Sequence, residues 1–221
     1  MRAKALIFDL DGTLVDSMEV VYGTMNLILK DLGLREVGRE EMVELAGKRF
    51  SEILLEMAPW LSPSAIEGSE ARFKEIYSAS RLRLIPGAGE ALGWLKERNV
   101  PMGLVTTTPK EPARDLIERL GISEYFEVVV ALEDVERPKP HPDGPLKASR
   151  ALGMAPRDCA FVGDSPNDIR AGKAAGTMTI GVLTGFSSRE RLAMEGADLV
   201  IGSVGEIPAA LSRLCPRAPR P

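Results

Sequence analysis

An α/β fold, a parallel sheet covered by helices and interrupted by one helical insertion, is predicted by three observations. Short apolar runs suited to buried strands recur along the chain with helical segments between them. The intervening helices stop at glycines, as at Gly121 and Gly153. One interval, from Ser17 to about Ile85, breaks the rhythm and contains no convincing strand. In order, Ala3 to Phe8 reads as a buried strand, and two carboxylates follow it at once. Helical patterns then occupy Val20 to Leu32, Glu40 to Leu45, Ser51 to Met57 and Ser64 to Ser80, and the Met and Leu positions at helical spacing within Val20 to Leu32 read as core of the insertion. The run Ile85-Pro86-Gly87-Ala88-Gly89 marks the return point, a candidate hinge, before an amphipathic helix from Glu90 to Arg98. Further strands are predicted at Met102 to Thr106, Val128 to Ala131, Ala160 to Val162, Thr179 to Val182 and Leu199 to Ile201, with helices over Lys110 to Leu120 and Asp143 to Leu152. Right-handed crossovers then cover both faces of a Rossmann-like core, residues 1–15 and 86–221, and residues 16–85 form an inserted α-helical cap placed as a lid.

Composition narrows the function. The chain has 221 residues, 44% hydrophobic and 27% charged, enough for one generous domain or a domain carrying an insertion. A net charge of -4 gives no electrostatic support to nucleic-acid or anionic-membrane partners, so small solutes are expected. The two cysteines, Cys159 and Cys215, make neither a disulfide framework nor a thiolate metal site. No apolar stretch approaches the roughly 20 residues that cross a bilayer, and the N-terminus leads directly into a strand, so a cytoplasmic protein is expected. The tail from Pro216 to Pro221 is expected to be disordered, and the oligomeric state, monomer or homodimer, is left open.

Four segments carry chemistry. Asp9 and Asp11 sit at the exit of a buried strand, where two like charges are tolerated only with a cation, a lysine or hydrogen-bond donors nearby. The strand ending in Thr106-Thr107-Thr108 supplies hydroxyl and backbone donors for a phosphoryl oxygen. Lys139, fixed between Pro138 and Pro140, is a directed cation. Gly163-Asp164-Ser165-Pro166-Asn167-Asp168 is an acidic turn in which the second acid opens a helix. In an open α/β sheet all four converge on the carboxyl edge. Each has a bland counterpart: Asp-x-Asp as a solvated turn, Thr13 with Asp16 or Ser17 as a helix cap, Asp168 as a first-turn acid, Lys139 as a surface lysine. The single histidine, His141, reads as a turn residue.

Through Asp9-Leu10-Asp11-Gly12-Thr13, Thr106, Lys139 and Gly163-Asp164 to Asp168, in that order, the chain resembles the haloacid dehalogenase superfamily of phosphohydrolases. Its helical insertion resembles the subgroup that includes phosphoglycolate phosphatases and β-phosphoglucomutases. The resemblance implies Asp9 as nucleophile, ionised at its ordinary pKa near 3.9 and forming an aspartyl phosphate. Asp11 would be general acid and base, while Lys139 and Thr106, with the backbone amides after it, would hold the transferring phosphoryl group. It also implies Mg²⁺ bound by Asp9, the Asp11 carbonyl and Asp164, with Asp168 either ligating directly or acting from behind, through a metal-bound water or Lys139.

Substrate choice is expected to lie in the cap. The junction Ala46-Gly47-Lys48-Arg49 could aim a cation at a distal anionic group, with Thr107 on the core side, and Lys74 is a further candidate. The expected reaction is hydrolysis of a small phosphate monoester, 2-phosphoglycolate first and sugar phosphates next. The rival mutases carry a histidine shortly after the aspartate pair, where this chain has a residue near Val21. Dehalogenases lack the second acid, which is present as Asp11. Phosphonate hydrolysis by a cap lysine, Lys48 or Lys74, stays open, and so does a ligand-binding module without turnover.

Overall fold

The structure, a computed structural model, describes residues 3–214. Cys215 and the tail expected to be disordered lie outside the described residues. Six parallel strands, β1 (Ala5–Phe8), β2 (Met102–Val105), β3 (Val128–Val130), β4 (Cys159–Gly163), β5 (Met178–Val182) and β6 (Leu199–Ile201), form one sheet in the order β3-β2-β1-β4-β5-β6. The fold class is therefore the α/β, Rossmann-like one predicted. The chain builds outward from β1 to β2 and β3, then returns to the other side of β1 for β4, and such a reversal leaves a crevice at the carboxyl ends of the strands.

The central strands β1, β2 and β4 are short and apolar because both of their faces are buried. Along β1 the side chains alternate between two cores. Leu6 and Phe8 join Leu92, Leu95, Leu116 and Ile207 on one side, while Ala5 and Ile7 join Val105, Ala148, Phe161 and Ala171 on the other. The first core is closed by α5 (Ala88–Lys96), α6 (Lys110–Arg119) and α10 (Ile207–Leu214). The second is closed by α7 (Asp143–Ala151) and α8 (Pro166–Ala175). Helix α10 and the short α9 (Arg189–Met194) fall where the sequence reading assigned no element. At six to eight residues they show too few turns for the periodicity to register.

Between β1 and α5 lie α1 (Met18–Asp31), α2 (Arg39–Leu45), α3 (Phe50–Met57) and α4 (Pro63–Ala79). They enclose a third cluster, with Met25, Leu29, Val37, Met42, Ile53 and Leu54 buried in it. Buried Asn26 on α1 closes this unit by accepting from the Val37 N–H at 2.8 Å and donating to the Val37 carbonyl at 3.0 Å. Helix α4 starts at Ser62, whose hydroxyl accepts from Ala65 N–H, with Pro63 in the first turn. The two connections to the sheet pair with each other. Ile85 N–H donates to Leu14 O and Asp16 N–H to Arg83 O, both at 2.9 Å, and Val15 bridges Leu84 antiparallel. Among the described residues no helix is long and apolar enough to cross a membrane.

Leu92, fully buried on α5, tests the first core. Its replacement by Ala is expected to lower the unfolding free energy by about 2–5 kcal/mol in urea titrations, whereas Trp60→Ser at an exposed site should change it by no more than about 0.5 kcal/mol.

Candidate active site

The site is built where β1 and β4 end side by side. Asp9 N–H donates to Val162 O at 2.8 Å, carrying the ladder one residue past β1 and fixing the first carboxylate beside β4. The chain then folds over the Leu10 carbonyl, which accepts from Leu14 and Val15 N–H at 2.9 and 3.0 Å. Gly12 is required twice here. Its φ of +74° is one that side chains rarely adopt, and a Cβ would lie 2.7 Å from Asp164 Oδ2. Thr13 is not the cap of α1, as one reading of the sequence had it. Its hydroxyl donates to Asp164 Oδ1 at 2.8 Å, and Ser17 occupies the cap position without a side-chain bond.

At the end of β4 the backbone must be bare, since a Cβ on Gly163 would lie 2.3 Å from the Cβ of Asp168. Ser165 and Asp168 form a reciprocal cap at the start of α8: Ser165 Oγ accepts from Asp168 N–H at 3.2 Å and donates to Asp168 Oδ2 at 2.6 Å, and Ser165 N–H donates to the same oxygen at 3.0 Å. Asp168 is thus the first-turn acid of the bland reading and more. Its other oxygen, Oδ1, receives Lys139 Nζ at 2.6 Å, and the same ammonium reaches Asp9 Oδ1 at 2.7 Å. Lys139 comes from the loop between β3 and α7, and all three side chains are buried. His141, two residues on, is exposed.

Asp9, Asp164 and Asp168 each offer an oxygen within 4.8 Å of the others. Three buried acids against one ammonium leave an excess of negative charge. Burial, with Asp168 and Asp11 adding repulsion that Lys139 only partly offsets, pushes Asp9 up to about 7 in the absence of a cation. Burial and the neighbouring Asp168 and Asp9 raise Asp164 well above the usual range. Burial opposes the charge on Lys139, but Asp168 and Asp9 outweigh it and raise its pKa. Among the described residues Asp9 Oδ2 and Asp164 Oδ2 have no hydrogen-bond donor, whereas both Asp168 oxygens are taken. A buried, oxygen-only donor set short of positive charge fits a hard divalent cation.

Asp11 stands apart from this cluster. Its Oδ1 accepts from Tyr77 Oη at 2.7 Å and its Oδ2 from Thr108 Oγ1 at 2.6 Å. Tyr77 is the buried tyrosine near the end of α4, and burial, with Asp11 beside it, raises its pKa well above the usual value. Thr108 belongs to the hydroxyl run singled out in the sequence, but no local signal pairs it or Tyr77 with Asp11, from which they lie 97 and 66 residues away. Thr106 is buried and its Oγ1 accepts from Thr108 N–H at 3.0 Å, leaving its own proton to donate.

A cavity of about 540 Å³ opens between the sheet edge and α1–α4. Asp9, Asp11, Asp164, Thr107, Gly47, Lys48, Arg49 and Lys74 all line it, while Thr106, Lys139 and Asp168 lie behind its wall. Lys48 pairs with Glu56 at 2.7 Å, Lys74 with Glu111 at 2.7 Å, and Arg49 donates to the carbonyls of Val135 and Glu136 at 3.5 and 3.3 Å. Asn167 Nδ2, missed in the sequence, donates to Ala46 O at 2.7 Å and ties α8 to this junction.

This sheet, with acids from two adjacent strand ends and a buried lysine between them, defines a hydrolase class, and the profile of the haloacid dehalogenase-like hydrolases matches residues 6–182. The chain belongs to that family. It is 31% identical to the phosphoglycolate phosphatase of Escherichia coli (strain K12) over 233 residues, 94% of this chain and 92% of the relative. Among solved structures it is similar to a predicted phosphoglycolate phosphatase from Haemophilus somnus 129PT, with 25% identity, a TM-score of 0.82 and coverage of 95% and 98% of the two chains. A Deinococcus radiodurans R1 hydrolase of the same family, solved with bound phosphate and sodium, has 28% identity, a TM-score of 0.75 and 99% coverage of both chains. Within its family the protein is an enzyme of the phosphatase type.

Lys139→Met leaves three buried acids without their ammonium and should lower the unfolding free energy by about 3–5 kcal/mol in metal-free urea titrations. Lys4→Met, at an exposed pair with Asp158, should cost about 1 kcal/mol or less. Equal effects would mean that Lys139 does not hold the acids together.

Proposed function

We propose that the chain hydrolyses a small phosphate monoester with Mg²⁺ through an aspartyl-phosphate intermediate. One observation carries this reading: Lys139 joins Asp9 to Asp168 beside Asp164, and Asp11 faces the same cavity on separate donors. The cation would be held by Asp9 and Asp164, with the Asp11 carbonyl and with Asp168 acting through Lys139. When bound, it would supply positive charge to offset the carboxylates and the phosphoryl oxygens.

In the first half-reaction an Asp9 oxygen bonds to phosphorus, the bond from phosphorus to the ester oxygen breaks, and Asp11 gives its proton to the departing alkoxide. In the second, Asp11 takes a proton from water as its oxygen attacks phosphorus and the Asp9 carboxylate leaves. Tyr77 and Thr108 grip opposite oxygens of Asp11 and fix its position for both transfers. Lys139 neutralises Asp9, and the Thr106 hydroxyl and nearby amides donate to phosphoryl oxygens. Residues 16–85 serve as a cap that excludes water, moving on the paired connections at 14–16 and 83–85. Val21 lines the cavity where the mutases carry a histidine, and the sole histidine is exposed, which favours hydrolysis over phosphoryl return to a sugar. The name of the 31% identical relative makes 2-phosphoglycolate the reference substrate, with sugar phosphates beside it.

Phosphate release should require Mg²⁺, stop with EDTA and resume when Mg²⁺ is restored. Asp9→Asn should abolish it, and Asp11→Asn should slow it by roughly 10²–10⁴-fold. Full activity in Asp9→Asn would sink the covalent mechanism, and no release from any monoester would sink the phosphatase reading.

A further inference from the structure

The loop after β5 carries none of the four chemistry-bearing segments, yet it bears on two of them. Thr184 Oγ1 donates to the Gly12 carbonyl at 2.6 Å and so fastens the turn after β1. The next residue of that turn, Thr13, holds Asp164 Oδ1. Gly185 then passes so close to Asp164 that a Cβ on it would lie 1.8 Å from Oδ2, 2.5 Å from Cγ and 2.8 Å from Cβ. Real Cβ atoms essentially never come within 3.0 Å of such neighbours, so any larger residue must push the carboxylate and the loop apart. A Cβ on Gly12 would meet the same Oδ2 at 2.7 Å. Glycines from two different strand ends thus abut one oxygen. The root of the loop is held in turn, since Leu183 N–H donates to Gly202 O at 3.2 Å.

Among the described residues Oδ2 is the Asp164 oxygen without a hydrogen-bond donor, and the loop supplies none. So close an approach does not satisfy the oxygen but restricts it. Held only by one hydroxyl, the carboxylate would be free to turn about its own bonds, and a hard cation gains from oxygens fixed before it arrives. Thr184 acts on the neighbouring ligand as well, because the Gly12 carbonyl that it grips follows one residue after that of Asp11. Simple space filling would instead stabilise the empty fold and leave the affinity for an ion untouched.

We infer that Thr184 and Gly185 are positioning residues for the cation, acting through Asp164 and the turn at Gly12. The inference rests on the proposed function for the presence of that cation and adds the residues that aim its ligands.

Mn²⁺ is the probe, an ion that favours the same oxygen set as Mg²⁺ and whose free form is counted by electron paramagnetic resonance. In titrations of the metal-free full chain, Thr184→Val and Gly185→Ala should each raise the Mn²⁺ Kd by about 10–100-fold. Thr184→Ser, which keeps the hydroxyl, should raise it by about threefold or less. Urea titrations of the metal-free proteins run beside these. A Kd within about threefold of the original in Thr184→Val or Gly185→Ala, whatever the loss of stability, would reduce that residue to packing and overturn its role. Thr184→Ser binding as weakly as Thr184→Val would likewise overturn the part given to the hydroxyl. Should Gly185→Ala not fold, the Val and Ser pair decides. An unaltered chain that takes up no Mn²⁺ would overturn the cation of the proposed function and this inference with it, whereas binding that neither substitution weakens would overturn this inference alone.

Discussion

Three buried carboxylates share one ammonium at the carboxyl edge of the sheet, and much of the molecule is arranged around that imbalance. Asp9, Asp164 and Asp168 come from two adjacent strands and the first turn of a helix, and Lys139 reaches them from a loop beyond β3. Burying ions is costly, and the cost is met only where every remaining lone pair is directed. Thr13 and the hydroxyl and N–H of Ser165 perform part of that service, and glycines at 12 and 163 let the backbone come close enough for it. The order of the strands is part of the same solution. A sheet in which β4 lay elsewhere would leave Asp164 away from Asp9.

Asp11 obeys a different rule although it stands two residues from Asp9. Its carboxylate is held by one hydroxyl from the helical segment and one from the loop after β2. The proposed proton carrier is thus fastened partly to the sheet and partly to the insertion, while Asp9, the proposed nucleophile, is fastened to the sheet and to Lys139, with no bond to the insertion. Any displacement of α4 would release one oxygen of Asp11 and leave Asp9 undisturbed. The cavity has the same dual ownership, with an acidic floor from the strand ends and apolar walls from α1–α4.

The sheet was legible because its strands are apolar, short and separated by glycine-stopped helices, signals that are local. The four chemistry-bearing segments were legible because each sits at the end of such a strand or in a proline-framed loop. What the sequence did not disclose depends on distant partners. Tyr77 reads as one more apolar position of α4 until Asp11 is beside it, and Thr13 reads as a cap until Asp164 faces it. The pull of burial and of Asp168 on the Asp9 carboxyl was likewise not legible, because both are set by β4 and α8 rather than by its own neighbours in the chain. The basic junction at 47–49 was visible, but the partners of its side chains, Glu56 for Lys48 and the carbonyls of 135 and 136 for Arg49, were not.

The ribbon formed by residues 14–16 and 83–85 bears on how such a chain can change over time. Because the strand leaving the sheet and the one returning to it are hydrogen-bonded to each other, nearly seventy residues enter and leave through what amounts to a single doorway. Closing a loop costs entropy that rises only with the logarithm of its length. The sheet therefore senses the insertion mainly as a fixed pair of ends, and a longer, shorter or differently lined set of helices can be carried there at modest expense to folding. Variation in that segment can alter what is admitted to the acids without rebuilding the acids themselves.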